Sequence, residues 1–552
     1  MNAYLFDETR KMQTSPTSGA AVRREHGVYL KQNTKIEPLV SRWYAWGHLI
    51  SPAQRALNVA YRQIPMLKSF VSNPGVHEAA SKNPALYGGN FLELRRQDVP
   101  AVQMLLRHML NKETASIQFA EDLMKLDRAM QKSDKGMSLD HHYENLPDLL
   151  AGLTEVSYDM NNHSMPRLIE ELLYGTPLDL AAEHEISFCT TADDARHFFL
   201  NTPRLNTGGR MSIPMSFDDR RLDLLGLSRI DPVPLDELAS AFGMKDEETD
   251  TFQGFFTAEP PVRNQPEYAG DGIRVRYFGH ACVLLQTRNV SILVDPFLTW
   301  DQDDTASRLT FHDLPDFIDF VFLTHNHQDH FCAEALLQLR KRVGCVLVPR
   351  NNPYNIADPS MKLALRRLGF HNVRIMDPMD CLEFQDGAIT SLPFYGEHAD
   401  LSISSKHAMH VDLKGKTFMF VADSDAKDAV LYRRLAERLG KVDHLFVGME
   451  CDGAPLNWLY SPYLSTPIGR KEDESRRLSG SDADHALRIV EQMGCKTAHV
   501  YALGQEPWLK YVAGLAYTEK SKQIVESDKF VQSCREKGIQ SERLHGCQTM
   551  EF

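Results

Sequence analysis

The chain has 552 residues, 43% of them hydrophobic and 24% charged, which at roughly 100–200 residues per domain allows about two to four domains with real cores. Its net charge of −13 and pI near 5.9 exclude a general polyanion binder, because nucleic-acid-binding domains are usually basic. The opening MNAYLFDETRKMQTSPTSGAAVRREHG has no apolar core after its positive charges, so it is not a secretory signal, and no run approaches the roughly 18 apolar residues of a membrane span.

Residues 1–257 have helical character and are expected to form a mostly helical α+β N-terminal domain. The segment 99–131 places apolar residues at helical spacing, and MPRLIEELLYG reads as a short helix stopped by glycine. No repeat, low-complexity tract or catalytic motif stands out in this half. AEPPVRNQPEYAGDG, residues 258–272, is rich in proline and glycine and reads as a linker. From 273 to 552 the texture changes. IRVRYFGHACVLLQT, SILVDPF, DFVFLT, CVLVP, NVRIMD, AITSLPFY, TFMFVAD, HLFVGM and TAHVYAL read as strands. Between them AEALLQLRKRV, MKLALRRLG, AVLYRRLAERLG and DADHALRIVEQMG read as helices, and DLKGKTF as a hairpin turn. This alternation predicts an α/β layered domain. Residues 449–480 read as a long loop, the kind that serves as a lid or binding segment. The nine cysteines are scattered without a CxxC pair, which suits a reducing cytoplasm better than a disulfide framework.

The strongest chemical signal is FVFLTHNHQDHF. His325, His327, Asp329 and His330 follow a buried strand in an HxHxDH run, four donors in six positions aimed at one small volume. Imidazole and carboxylate suit zinc, iron or manganese, and two pairs in one loop suggest two metals. Further donors must come from later strand ends. FMFVADSD offers Asp423, with Asp425 as a competitor, and TAHVYALG offers His499. His280 and His410 sit in strand-like contexts and read as structural. After AITSLPFY stand Glu397 and His398 side by side, and periodicity does not choose between them. A histidine donor would indicate a dizinc hydrolase of esters, lactones or thioesters, with metal-bound hydroxide as nucleophile. A carboxylate would indicate iron and oxygen chemistry.

These motifs, in this order over about residues 273–515, resemble the metallo-β-lactamase superfamily. YFGHACVLLQTRNVSILVDPF is similar to its opening strands, with Asp295 supporting the ligands from behind. The resemblance implies an αββα sandwich with the site at one edge of its two sheets. A long helical domain ahead of it, with Glu replacing the usual central His, resembles the dinuclear iron monooxygenases typified by the β-hydroxylase of chloramphenicol biosynthesis.

That resemblance implies metal ligands His325, His327, Asp329, His330, Glu397, Asp423 (bridging) and His499, with His398 a neighbour and no catalytic residue beyond the ligands. It implies two Fe ions, oxo-bridged when oxidised, O2 as co-substrate and an external electron donor, a reductase or ferredoxin. The substrate would be an amino acid held as a thioester on a carrier domain of a nonribosomal peptide synthetase, hydroxylated at its β-carbon. A phosphopantetheine channel is then needed, for which Trp458, Tyr460 and Tyr463 are candidates, and RKEDESRR and LYRRLAERLGK could offer local positive charge to the carrier. The N-terminal domain would serve dimerisation and access to the metals, giving a homodimer. Neither nucleic acid nor membrane is an expected partner.

Overall fold

The computed structural model describes residues 27–83, 86, 88–132, 136–206, 209–302, 307–514 and 516–552. The opening segment tested for a signal lies outside these residues except for its last glycine. In the N-terminal half a four-stranded antiparallel sheet is formed by β1 (Thr34–Val40), β2 (Trp43–Tyr44), β3 (His184–Thr190) and β4 (Met211–Pro214), in the order β2-β1-β3-β4. Helices α1 (Pro52–Asn58), α2 (Ile64–Ser72), α3 (Val99–Lys112) and α4 (Thr114–Lys132) pack beside it.

Two local expectations are corrected here. The helix expected over 99–131 breaks at Glu113, a fully buried residue whose carboxylate accepts from Ser41 Oγ at 2.8 Å and pairs with Arg55. A buried carboxylate demands such partners, and the chain turns to reach them. MPRLIEELLYG is not a helix. Ser164–Leu168 is a strand paired with Thr154–Tyr158, and only Glu170–Leu172 makes a helical turn. Pro166, which lacks an N–H, sits in that two-stranded ribbon opposite Val156.

Residues 258–272 hold no helix or strand. Beyond them lie two seven-stranded sheets. The first contains β5 (Arg274–Tyr277), β6 (Val283–Gln286), β7 (Ser291–Val294), β8 (Ile318–Phe322), β9 (Val343–Val348) and β10 (Val373–Ile375). The second contains β11 (Cys381–Phe384), β12 (Gly387–Leu392), β13 (Ala408–Leu413), β14 (Lys416–Phe420), β15 (His444–Gly448), β16 (Thr497–Tyr501) and β17 (Gln540–Arg543). The last strand, β18 (Gln548–Glu551), returns to pair with β5. Each sheet is antiparallel over its first strands and parallel over the rest. Lys414 and Gly415, both at positive φ, make the tight turn from β13 to β14 that twisted hairpins favour.

The apolar layer between the sheets is built from alternating residues such as Val275, Ile292, Phe322, Ile389, Val411 and Phe446. Helices α7 (Val430–Leu439), α8 (Ala483–Met493) and α9 (Lys522–Glu536) cover the outer face of the second sheet. Helices α5 (Ala333–Leu339) and α6 (Met361–Arg367) cover the first. This is the expected αββα sandwich. The outer layer of the first sheet is continuous with the core of the N-terminal half: Leu336 and Met361 belong to one cluster with Trp46, Phe119 and Phe188. No described helix is long and apolar enough to cross a membrane.

Candidate metal centre

Loops after β8, β12, β14 and β15, together with the turn from β5 to β6, meet at one edge of the sandwich. The loop after β8 is pinned by Asp295, which follows β7 and is fully buried. Asp295 accepts from Thr324 N and Thr324 Oγ1, both at 2.7 Å, and from His330 Nδ1 at 2.8 Å. Gly448 ends β15 where a side chain would collide with Asp423: a Cβ there would lie 2.6 Å from Asp423 Oδ1. Several non-glycine residues of this edge have left-handed backbone, among them His280 (φ 51°), Asp295 (φ 39°), Glu397 (φ 70°) and Ala422 (φ 45°). Such strain persists only where surrounding structure holds it, and it concentrates at functional sites.

The structure gathers three overlapping donor groups, each with its atoms within 4.8 Å of one another: His325, His327 and Glu397; His325, His330 and Asp423; His280, Asp329 and His330. His327 Nδ1 lies 2.6 Å from Glu397 Oε1, and His280 Nε2 lies 3.2 Å from Asp329 Oδ2. Asp423 Oδ2 stands 3.1 Å from His330 Nε2 and 3.6 Å from His325 Nε2, so it lies between the other two groups.

These residues fit metal ions on their own evidence. His325 Nε2, His330 Nε2, Asp423 Oδ1, Glu397 Oε2 and both nitrogens of His280 are buried and make no well-directed hydrogen bond, although Glu397 Oε2 lies within 2.7 Å of His398 Nδ1 and His280 Nε2 within 3.2 Å of Asp329 Oδ2. Buried polar atoms are rarely left so, and here the orphans converge. Titration is correspondingly distorted. Burial works against charge on Glu397, yet His327 and His398 hold its carboxyl well below the usual carboxylate range. Burial also opposes charge on His330, and Asp423, Asp329 and Asp295 overcome it, lifting the imidazole well above its ordinary value. Burial raises Asp423.

Of the predicted donors, His325, His327, Asp329, His330, Glu397 and Asp423 are brought together. His499 is not. It lies inside β16, stacked on Phe446 at 4.7 Å between ring centroids, with Nδ1 3.2 Å from Glu542 Oε1, in the layer between the sheets. The strand runs on to Tyr501, so the histidine stops short of the edge. Asp425 turns away to His485 Nδ1. His398 packs against His327, 4.6 Å between centroids, with Nδ1 2.7 Å from Glu397 Oε2; it belongs to none of the three groups, and burial pushes it down to about 4.

Two residues that sequence reasoning missed stand at the site. His280 joins Asp329 and His330, against its reading as structural. Glu450, directly after β15, lines a cavity of about 210 Å³ shared with His327, Asp329, Glu397 and Asp423. Burial, then Asp423, Asp329 and Glu397, raise it well above the usual carboxylate range. The signal was present: Glu450 follows HLFVGM as Asp423 follows FMFVA. Of the three aromatic channel candidates, Trp458 lines this cavity. Tyr460 is buried with its hydroxyl 3.0 Å from His327 Nε2, and Tyr463 lines a separate cavity against α1 and α4. The segment 449–480 is not a plain loop; it holds helices Leu456–Tyr460 and Arg470–Ser475. Arg477 of RKEDESRR lines the cavity, paired with Asp452 and Glu474.

Comparison with known proteins follows the same division. A diiron non-heme beta-hydroxylase N-terminal domain model matches residues 29–260, and a beta-lactamase superfamily domain model matches 274–428. The 4-amino-L-phenylalanyl-[CmlP-peptidyl-carrier-protein] 3-hydroxylase of Streptomyces venezuelae is 34% identical over 529 residues, 95% of this chain and 99% of the relative. The crystal structure of CmlA, a diiron beta-hydroxylase from Streptomyces venezuelae, superposes with a TM-score of 0.90 at 34% identity, covering 96% of this chain and all of that one. A UPF0173 protein of Pyrococcus abyssi is 28% identical over 126 residues, 23% of this chain and half of the relative.

Proposed function

Because the chain belongs to the diiron non-haem β-hydroxylases, we propose that it hydroxylates the β-carbon of an amino acid tethered as a thioester to a carrier domain of a nonribosomal peptide synthetase. The observation that carries this reading is the end-to-end match to an enzyme whose substrate is an aminoacyl group on a peptidyl carrier protein. Glu397, rather than His398, in the donor group with His325 and His327 supports it from the site itself.

His325, His327 and Glu397 would hold one iron, Asp329 and His330 the other, with Asp423 between them. His280, which groups with Asp329 and His330, would add a donor to the second iron in place of His499, and Glu450 would face the same cavity. Two irons held there, reduced by a reductase or ferredoxin, would supply the activation of O2. The protein's own contribution is orientation. His330 donates Nδ1–H to Asp295, leaving Nε2 for metal, and the Thr324 hydroxyl sits 3.0 Å from His325 Nδ1 with the same effect. His327 gives Nε2–H to Tyr460, leaving Nδ1 beside Glu397. Such outer partners fix the ring and its tautomer. Trp458, Ala454, Pro455 and Gly514 form the apolar part of the cavity wall, the route for a pantetheine arm. Association as a homodimer and action in the cytoplasm, where nine free cysteines would stay reduced, complete the proposal.

The test is to load a carrier with aminoacyl-pantetheine, supply iron, reductant and isotopically labelled O2, and weigh the product. One labelled oxygen on the amino acid, with two irons per chain, is the expected result. Two zincs, no oxygen gain and hydrolysis of the thioester would overturn the reading.

A further inference from the structure

A second charged cavity lies in the N-terminal sheet. Strand β1 is buried along its whole length, with Ile36 in the apolar core and Lys35 and Glu37 on the opposite face. There they meet Cys189 and Ser187 of β3 in register. Residues 192–205, with Arg210, border this face and leave a cavity of about 520 Å³. Its charged lining is Lys35, Arg196, Arg204 and Arg210 against Glu37 and Asp193, with His197 at the rim.

Glu37 is already taken, and Asp193 is exposed at the cavity's edge. Glu37 receives Arg196 and Arg210, Arg196 also reaches Glu334 at 2.6 Å, and Asp193 accepts from Ala195 N at 2.9 Å. His197 lies 3.5 Å from Glu93. One cation is left over and a second is only partly satisfied. Arg204 is 2% exposed, reaches Glu37 through Nε at 3.4 Å and donates Nη1 to Thr202 O at 3.0 Å, which leaves only its Nη2 without a partner. Lys35 is 4% exposed; its Nζ sits 4.6 Å over the Trp300 ring and forms no ion pair among the described residues. Burial, helped by Arg196, pushes Lys35 down to about 8, as expected for a buried ammonium without a counter-ion.

We infer that this cavity is a binding site for a phosphoryl anion, held by Lys35 together with Arg204, whose Nη2 is unpartnered, and with Arg210 alongside. Tetrahedral oxyanions match a guanidinium edge and an ammonium together, and both donors are fixed in place before binding. The cavity is separated from the metal cavity by residues 195–198: Arg196 and His197 line the first, and Phe198 packs on Trp458 of the second at 5.5 Å between centroids. Two sources can supply the group, the phosphodiester at the base of a carrier's pantetheine arm or a free phosphorylated small molecule. Assigning the arm as source rests on the proposed carrier-bound substrate; the site itself does not.

Thermal unfolding of the full chain in phosphate and in chloride at matched ionic strength tests the site without turnover. The expected result is a higher midpoint in phosphate, absent in Lys35→Met, and phosphopantetheine binding by calorimetry about tenfold weaker in that variant. Equal midpoints in the two salts, or undiminished binding by Lys35→Met, overturn the inference. A folded Arg204→Met that binds phosphate as wild type does would also overturn it. Steady-state kinetics with the loaded carrier separate the sources. A tenfold higher KM with kcat retained in Lys35→Met identifies the arm, whereas an unchanged KM beside weakened phosphate binding identifies a free phosphorylated ligand. Failure of hydroxylation with intact phosphate binding would sink the proposed function and spare the site.

Discussion

The molecule buries two charged clusters, and they are unbalanced in opposite senses. At the sandwich edge Asp329, Glu397, Asp423 and Glu450 converge with histidines whose free nitrogens lack partners, a surplus of electron-pair donors. On the face of β1 the surplus is cationic, with Glu37 saturated by arginines, Lys35 left over and Nη2 of Arg204 unpartnered. Burial of charge alone therefore says little about function; what points to a ligand is the sign of the imbalance and the direction in which the orphaned atoms face.

Removing a donor should hurt the edge most. Glu397→Ala is expected to lose at least one of two irons per chain and to lower hydroxylation by about 100-fold or more, read by metal analysis and turnover. His499→Ala is expected to keep its iron, because that ring packs between the sheets; iron loss there would erase the distinction drawn between β15 and β16. In the cationic cluster the largest effect should be on stability. Glu37→Gln strands Arg210, takes one of two carboxylates from Arg196, and is expected to cost about 3–5 kcal/mol by denaturant unfolding, without touching iron content.

The pH dependence sharpens the contrast. Lys35 falls from 10.5 to about 8 on folding, so between those values the unfolded chain binds the proton that the folded chain has released. Stability contributed by this group therefore rises with pH across that window, by about 2–4 kcal/mol. The difference in unfolding free energy between wild type and Lys35→Met, followed from pH 7 to about 10.5, should show this rise. Saturating phosphate should flatten it. The smallest effect belongs to Tyr460→Phe, which removes only the acceptor behind His327. Iron should be lost to a chelator about tenfold more readily, with overall stability little changed.

Much of this could be seen in the sequence, for reasons that are local. Four donors in six positions after a buried strand leave little else for His325 to His330 to do, and Asp423 and Glu397 follow strands whose apolar runs end cleanly. His499 misled because TAHVYAL carries its histidine inside the strand, and where a strand stops depends on pairing with β15 and β17. The same dependence hid Glu450, one strand earlier. The ribbon at 164–168 was read as a helix because leucine spacing outweighed Pro166. Lys35 and Glu37 gave no signal, since charged residues alternating along a strand normally face water, and here residues 192–205 cover them.

The apolar cluster that joins Leu336 and Met361 to Trp46 and Phe188 has a bearing on how such enzymes diversify. A gene fragment beginning at the proline-rich segment would encode both sheets and every proposed iron ligand, yet leave Leu336, Leu337 and Leu365 facing water on one flank. Used as a free-standing cassette, this lactamase-type half would need that flank covered or resurfaced with polar residues. Engineering that exchanges the two halves has to carry this interface with it.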